Sequence, residues 1–187
     1  MRFRTVNSFL MNANSLSYSL NFLAFITRFN QPDLIMAASP ANGTNNIYQT
    51  TFHELAHASH QTQVGSLYWV RYVNYIITYG AYGDGTGNNA GHCGIGEMWG
   101  NYFAAVCMNR EVPNIFGVNF YLLPNRLWFN PGFLLDVDNI RDVTTPEIFS
   151  SLRSNITTFP LLINDLKLKT TNDAQIDNAF ANYNDWP

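Results

Sequence analysis

The segment TFHELAHASH, at positions 51 to 60, holds three of the four histidines in the chain. His53 and His57 are four residues apart, and Glu54 directly follows the first of them. Side chains at positions i and i+4 lie one turn apart on the same face of an α-helix. Both imidazoles can therefore point at one ion if this segment is helical, and the sequence predicts a helix with a polar face here.

The sequence around this segment predicts further helix. Asn46 followed by Gln49 matches a capping box, so a helix is expected to run from there through His60 and to stop before Gly65. Residues 66–79 carry aromatic and β-branched side chains without clean alternation. We favour a buried helix for this stretch, with a strand as the rival interpretation.

The segment GAYGDGTGNNAGHCGIG, at 80–96, contains seven glycines and predicts an irregular loop. Residues 97–109 then predict a helix that is apolar on more than one face and therefore largely buried. For 111–143, Pro, Asn and Gly residues suggest loops with short elements. A helix with Pro146 in its first turn is predicted for 144–154. Two short helices are expected near 159–168 and 173–183.

The N-terminal part of the chain predicts some strand. Residues 32–39 have the length and content of a short strand, whereas residues 16–29 are ambiguous between helix and strand. We therefore predict an α+β fold that is mostly helical, with a short sheet formed within positions 1–40. A length of 187 residues suits one domain over 1–187, either a shortened domain or a piece of a larger protein.

Composition excludes several functional classes. A net charge of −3, with no run of Lys or Arg, gives no electrostatic reason to expect nucleic acid as a partner. No apolar run approaches the roughly 20 residues that span a bilayer, so no transmembrane segment is expected. Positions 1–25 read as folded sequence rather than a secretory signal, and a secreted or periplasmic chain with its signal removed stays open. Cys93 and Cys107 are interpreted as two free thiols, with a single bridge between them as an unsupported alternative, so the redox compartment stays undecided.

A metal site is the chemistry that this histidine pattern favours. Zinc takes imidazole nitrogen, and its catalytic sites have three protein ligands and a water molecule. His53 and His57 supply two of these ligands. Glu54 can lie beside the ion without ligating it, where it can accept a proton from the water as a general base. The alternative is a structural histidine pair without metal.

Three residues compete to be the third ligand. His60 lies seven residues after His53, about 10 Å along a straight helix, so it is expected behind the ligands or at the surface. His92 lies in the glycine-rich segment and suits a cleft residue that binds substrate better than a ligand. Glu97 opens the next predicted helix, well beyond His57 in the chain, and is our choice.

The segments HELAH (53–57) and GEMWGNYFAA (96–105) resemble the gluzincin branch of the zincin-like zinc metallopeptidases. The resemblance implies an active-site helix and a second helix that bears the ligand Glu97. In that branch an Asp four residues after the ligand Glu often supports a ligand histidine. Here Asn101 takes that place; it can accept a hydrogen bond but adds no negative charge. The resemblance also implies a partner for the oxyanion, for which the candidates are Tyr79, Tyr82, His92, Tyr102 and Tyr121.

The sequence thus predicts a zinc-dependent peptidase that hydrolyses a peptide or protein substrate, with Glu54 as general base. An alternative is a non-catalytic zincin-like scaffold that acts as a protein- or carbohydrate-binding module. The sequence indicates neither the substrate nor the oligomeric state.

Overall fold

A computed structural model describes residues 8–11, 34–37, 43–80, 82–111 and 128–183, with side chains described over 47–80, 82–110 and 128–183. Two strands come first, β1 (Ser8–Met11) and β2 (Leu34–Ala37). Seven helices follow in the described ranges: α1 (Gly43–Val64), α2 (Ser66–Tyr79), α3 (Ala90–Glu111), α4 (Gly132–Asp138), α5 (Thr145–Ser151), α6 (Phe159–Lys167) and α7 (Asp173–Ala181).

The helix α1 is longer than predicted at its start. It begins at Gly43, three residues before Asn46, so the capping-box interpretation of Asn46 and Gln49 is wrong. Its end agrees with the prediction. Gly65 has a φ of 82°, a left-handed conformation that favours glycine, and this ends the helix after Val64.

The stretch 66–79 is the helix α2, so the rival strand interpretation is wrong. Its buried side chains are Tyr68, Trp69, Tyr72 and Tyr75, which recur at helical spacing on one face. Strand alternation is absent because this face, rather than every second residue, packs against α1 and α3.

The predicted loop over 80–96 is wrong from residue 90 onward, where α3 begins. The glycines that suggested a loop are tolerated in this helix because neighbouring groups approach them closely. A Cβ atom at Gly91 would lie 2.1 Å from the backbone oxygen of Thr157, and one at Gly94 would lie 2.4 Å from the Trp128 ring. Tertiary packing therefore outweighs the low helix propensity of glycine, about 1 kcal/mol per residue against alanine.

The C-terminal helices pack around one apolar cluster. The helices α5, α6 and α7 agree with the three predicted helices, with α5 carrying Pro146 in its first turn. The helix α4 was not predicted separately within 111–143. Among the described residues, Tyr75 belongs to a second cluster around α2. The largest fully buried side chains of the described part are Trp99, Tyr75, Tyr102, Phe129, Phe133, Ile95, Met98, Met108, Leu134, Ile148 and Leu152.

The predicted α+β class is wrong. The part of the chain whose side chains the structure describes is helical and contains no strand. The backbones of β1 and β2 pair in parallel, Ser8 opposite Leu34, but two four-residue segments do not make a layer on which helices pack. The ambiguous stretch 16–29 lies outside the described residues. The core is instead helix on helix.

The helices α1 and α3 run antiparallel and form the interface that holds the candidate site. Trp99 on α3 donates its indole N–H to the backbone oxygen of Ala56 on α1, at 3.0 Å. A Cβ atom at Gly100 would touch His53 and His57, whereas one at Gly96 would approach His60. Later residues of α1 thus meet earlier residues of α3. Among the described residues, no helix is long and apolar enough to cross a bilayer.

Candidate metal centre

Three predicted ligands come together at the interface of α1 and α3. The Nε2 atom of His53 lies 3.4 Å from Oε2 of Glu97, and Nε2 of His57 lies 3.4 Å from Oε1 of the same carboxylate. One ligand atom from each residue lies within 4.8 Å of the others. Ligand atoms about 2.0–2.1 Å from a tetrahedral zinc ion are about 3.3–3.4 Å apart, so this donor set suits zinc.

A glycine on α3 creates the space for the two imidazoles. A Cβ atom at Gly100 would lie 2.7 Å from Cε1 of His53 and 3.0 Å from Cε1 of His57. Any larger residue at this position would push both rings away from Glu97. Gly100 therefore lets α3 approach α1 closely enough for one carboxylate to reach two histidines.

The centre is mostly buried, and His53 is the most accessible of its three residues. The side chains of His57 and Glu97 are each only 3% accessible, whereas that of His53 is 16% accessible. Burial raises the pKa of Glu97, but the charges and hydrogen bonds of His57 and His53 outweigh it and hold the pKa well below its ordinary value. Burial lowers the pKa of His53, but the hydrogen bond to Glu97 and its charge leave it above its ordinary value.

Glu54 is buried close to the same three residues but is not one of the ligand group. Its Oε2 atom has no hydrogen-bond partner among the described residues. Burial raises its pKa, and the charges of His57 and His53 offset this only in part. Glu54 is therefore a carboxylate with a raised pKa and an oxygen without a hydrogen-bond partner, beside His53, His57 and Glu97.

Asn101 supports one of the two histidines. Its side-chain nitrogen donates to the backbone oxygen of Glu97 at 2.8 Å, which leaves its amide oxygen to accept. A hydrogen bond between the Asn101 and His53 side chains contributes to the raised pKa of His53. Such an acceptor fixes the orientation of a ligand imidazole.

Two aromatic residues of the site were missed in the sequence. The Tyr72 hydroxyl donates to Oε1 of Glu97, and burial together with the charge of Glu97 raises the pKa of Tyr72 well above its ordinary value. The ring of Trp69 lies 4.4 Å from that of Tyr72 and 5.3 Å from that of His57, centroid to centroid. The only sequence signal was the aromatic face of α2, which does not reveal what that face contacts.

His60 and His92 lie outside the ligand group. His60 is fully buried on α1, so the surface alternative is wrong, and His92 is buried in the first turn of α3 rather than in a loop. Both rings pack against Tyr68, at centroid distances of 5.1 Å and 4.5 Å. Burial lowers the pKa of His60 to about 3 and that of His92 to about 4, so both are neutral at pH 7.

The tyrosine candidates for the oxyanion differ in position. The Tyr102 hydroxyl shares a hydrogen bond of 2.8 Å with Thr145, which ties it to α5. Tyr79 and Tyr82 are exposed, and the charge of Glu97 is the main cause that raises the pKa of Tyr82. Tyr121 lies outside the described residues.

Comparisons of the chain with protein-family models, with curated proteins and with solved structures found no match. The donor set, its spacing and its surroundings are therefore the features that indicate a function for this chain. The group of His53, His57 and Glu97 is the part of the described structure with the most specific chemistry.

Proposed function

We propose that this protein is a zinc-dependent peptidase in which His53, His57 and Glu97 hold the ion and Glu54 is the general base. The observation that carries the proposal is the placement of Glu97, whose two oxygens each lie 3.4 Å from a different imidazole nitrogen. A zinc ion bound there would supply a Lewis acid that lowers the pKa of water to about 7 and polarises a carbonyl.

Charge balance favours a cation over a simple histidine–glutamate contact. Glu54 and Glu97 are 5% and 2% exposed, and two carboxylates this close and buried need positive charge nearby. Without a metal, positive charge can come only from protonation of an imidazole, and His53 has the raised pKa that allows it. A divalent cation balances both carboxylates without that protonation.

Glu54 has the environment of a proton acceptor. Because burial raises its pKa, it holds a proton more readily near neutral pH than an exposed glutamate does. In hydrolysis it takes a proton from the attacking water and passes it to the leaving amine of the cleaved peptide bond. We expect the substrate carbonyl to approach from the side of His53, because its side chain is more accessible than those of His57 and Glu97.

The experiment that tests this role is Glu54→Gln, assayed against a peptide library together with zinc content. We expect zinc to be retained and hydrolysis to fall by about 10²–10⁴-fold, the usual contribution of a general base. Glu147→Gln is the matched control, because Glu147 lies in the first turn of α5 and should leave both quantities unchanged.

Two results separate the alternatives. Peptide hydrolysis by Glu54→Gln at the parental rate would contradict the assigned general base. Bound zinc with no hydrolysis of any peptide in the library would favour the non-catalytic scaffold, a module that binds protein or carbohydrate.

A further inference from the structure

The two oxygens of Glu97 lie in unlike surroundings. Oε1 accepts a hydrogen bond from the Tyr72 hydroxyl. Oε2 is buried and accepts no hydrogen bond of good geometry among the described residues; its close polar neighbour is Nε2 of His53, at 3.4 Å. Since each oxygen lies 3.4 Å from one imidazole nitrogen, the hydrogen bond, rather than distance, distinguishes them.

Contacts with residues of two helices hold the Tyr72 side chain in position. A Cβ atom at Gly96 would lie 3.0 Å and 3.1 Å from two ring carbons of Tyr72. The glycine directly before Glu97 therefore leaves room for the Tyr72 ring, which belongs to α2, to pack against α3. On its own helix, the Trp69 ring packs against both Tyr72 and His57. The ring therefore has little freedom, and its hydroxyl stays on the carboxylate.

We infer that Tyr72 is a positioning residue that fixes Glu97 as a ligand through the single oxygen Oε2, an inference that rests on the proposed metal site. A carboxylate can bind a metal ion through one oxygen or two. The hydroxyl of Tyr72 engages a lone pair of Oε1 and lowers its tendency to bind the ion. Oε2 is left as the ligand, and one-oxygen binding leaves a coordination position for water, as catalytic zinc sites require.

The test compares Tyr72→Phe with Tyr75→Phe. Tyr75 is also buried, one turn further along α2, and its hydroxyl accepts a hydrogen bond from the Gly85 N–H at 2.9 Å, away from the ligands. Zinc affinity is measured by competition with a chromophoric chelator. We expect Tyr72→Phe to bind zinc about 10–100-fold more weakly than the parent, as loss of a hydrogen bond to a ligand does, and Tyr75→Phe to match the parent.

A second readout reports the binding mode of Glu97. The Co²⁺-substituted protein has visible absorption bands whose intensity falls when the coordination number rises. If Tyr72 blocks Oε1, its removal lets Glu97 bind through both oxygens, and the bands of Tyr72→Phe should weaken relative to the parent. A merely structural role for Tyr72 would change protein stability but not this spectrum.

Gly96→Ala is the second variant, which keeps the hydroxyl but presses a methyl group against the Tyr72 ring. It should lower zinc affinity and weaken the Co²⁺ bands in the same direction. A parent that binds zinc while both variants keep its affinity and spectrum overturns the role of Tyr72 and leaves the metal site standing. A parent that takes up no zinc overturns the proposed site and this inference together.

Discussion

At the scale of single residues, the surroundings of two glutamates shift their pKa values in opposite directions. Glu97 lies between two imidazoles and a tyrosine hydroxyl, and its pKa is held low. Glu54 is buried without such hydrogen bonds on Oε2, and its pKa is raised. In acid–base sites, titratable groups whose pKa values are shifted in opposite directions commonly have different roles.

Substitutions of Asn101 test how much its hydrogen bond to His53 contributes to zinc affinity. Because its side chain is hydrogen-bonded to His53, Asn101→Ala should weaken zinc binding by about 10–100-fold. Asn101→Asp should instead tighten it, by about tenfold at most, because a carboxylate makes the imidazole more basic. Both affinities are measured by chelator competition.

The order of zinc affinity among the parent and the two Asn101 variants shows whether Asn101 acts on His53. Zinc affinities that rank Asp above Asn above Ala support a hydrogen bond that acts on His53. Equal affinities in all three would show that Asn101 does not orient the ligand.

At the scale of helices, the sequence was informative where the pattern was local. The i and i+4 spacing of His53 and His57 predicted both the helix and the shared face. The start of α3 was not predictable in this way, because Gly91 and Gly94 are helical only through contacts with Thr157 and Trp128. Tyr72 was missed for the same reason, since its partner Glu97 is 25 residues away in sequence.

The close approach of α1 and α3 at Gly100 can be tested directly. In Gly100→Ala, the added methyl group would lie 2.7–3.0 Å from atoms of both ligand imidazoles, so zinc affinity should fall by more than about tenfold. Helix propensity alone would stabilise this variant, because alanine is more favourable than glycine in a helix by about 1 kcal/mol. A loss of zinc affinity therefore cannot be attributed to a weaker helix. Isothermal titration with zinc measures the affinity.

The matched control is Ala104→Gly, four residues along the same helix. It removes a buried methyl group and lowers helix propensity, so it should reduce the free energy of unfolding without changing zinc affinity. If the control loses zinc as Gly100→Ala does, general destabilisation rather than displacement of the imidazoles explains the loss.

At the scale of the whole molecule, the α+β prediction failed because strand content was inferred from positions 1–40, while the core is built by helices that follow. Apolar and aromatic runs such as 66–79 do not distinguish a buried helix from a strand, because both are apolar. The long-range packing of α4 to α7 on α3 was likewise beyond reach of local patterns.

The buried histidines should make the stability of the protein depend on pH. His60 and His92 have pKa values of about 3 and about 4 in the fold, below the ordinary value near 6.5 of the unfolded chain. The unfolded state therefore binds more protons between these values. The stabilisation is fully present above about pH 6.5 and is lost as the pH falls towards the folded values.

For the metal-free protein, we expect the free energy of unfolding to fall between pH 7 and pH 5, by about 2 kcal/mol for His60 alone. Urea titrations of the parent and of His60→Phe at both pH values measure this. The variant should lose about that much less stability than the parent over the interval. An identical loss in both proteins would show that His60 stays uncharged in the unfolded chain or is charged in the fold.

The central claim is a three-ligand zinc site, and the most direct measurement is zinc per chain by elemental analysis. The parent is compared with Glu97→Ala and with Asp173→Ala, a control at the first turn of α7. We expect about one zinc per chain in the parent and in the control, and much less in Glu97→Ala. A parent without zinc after incubation with it, or a Glu97→Ala protein with the full parental content, would contradict the site.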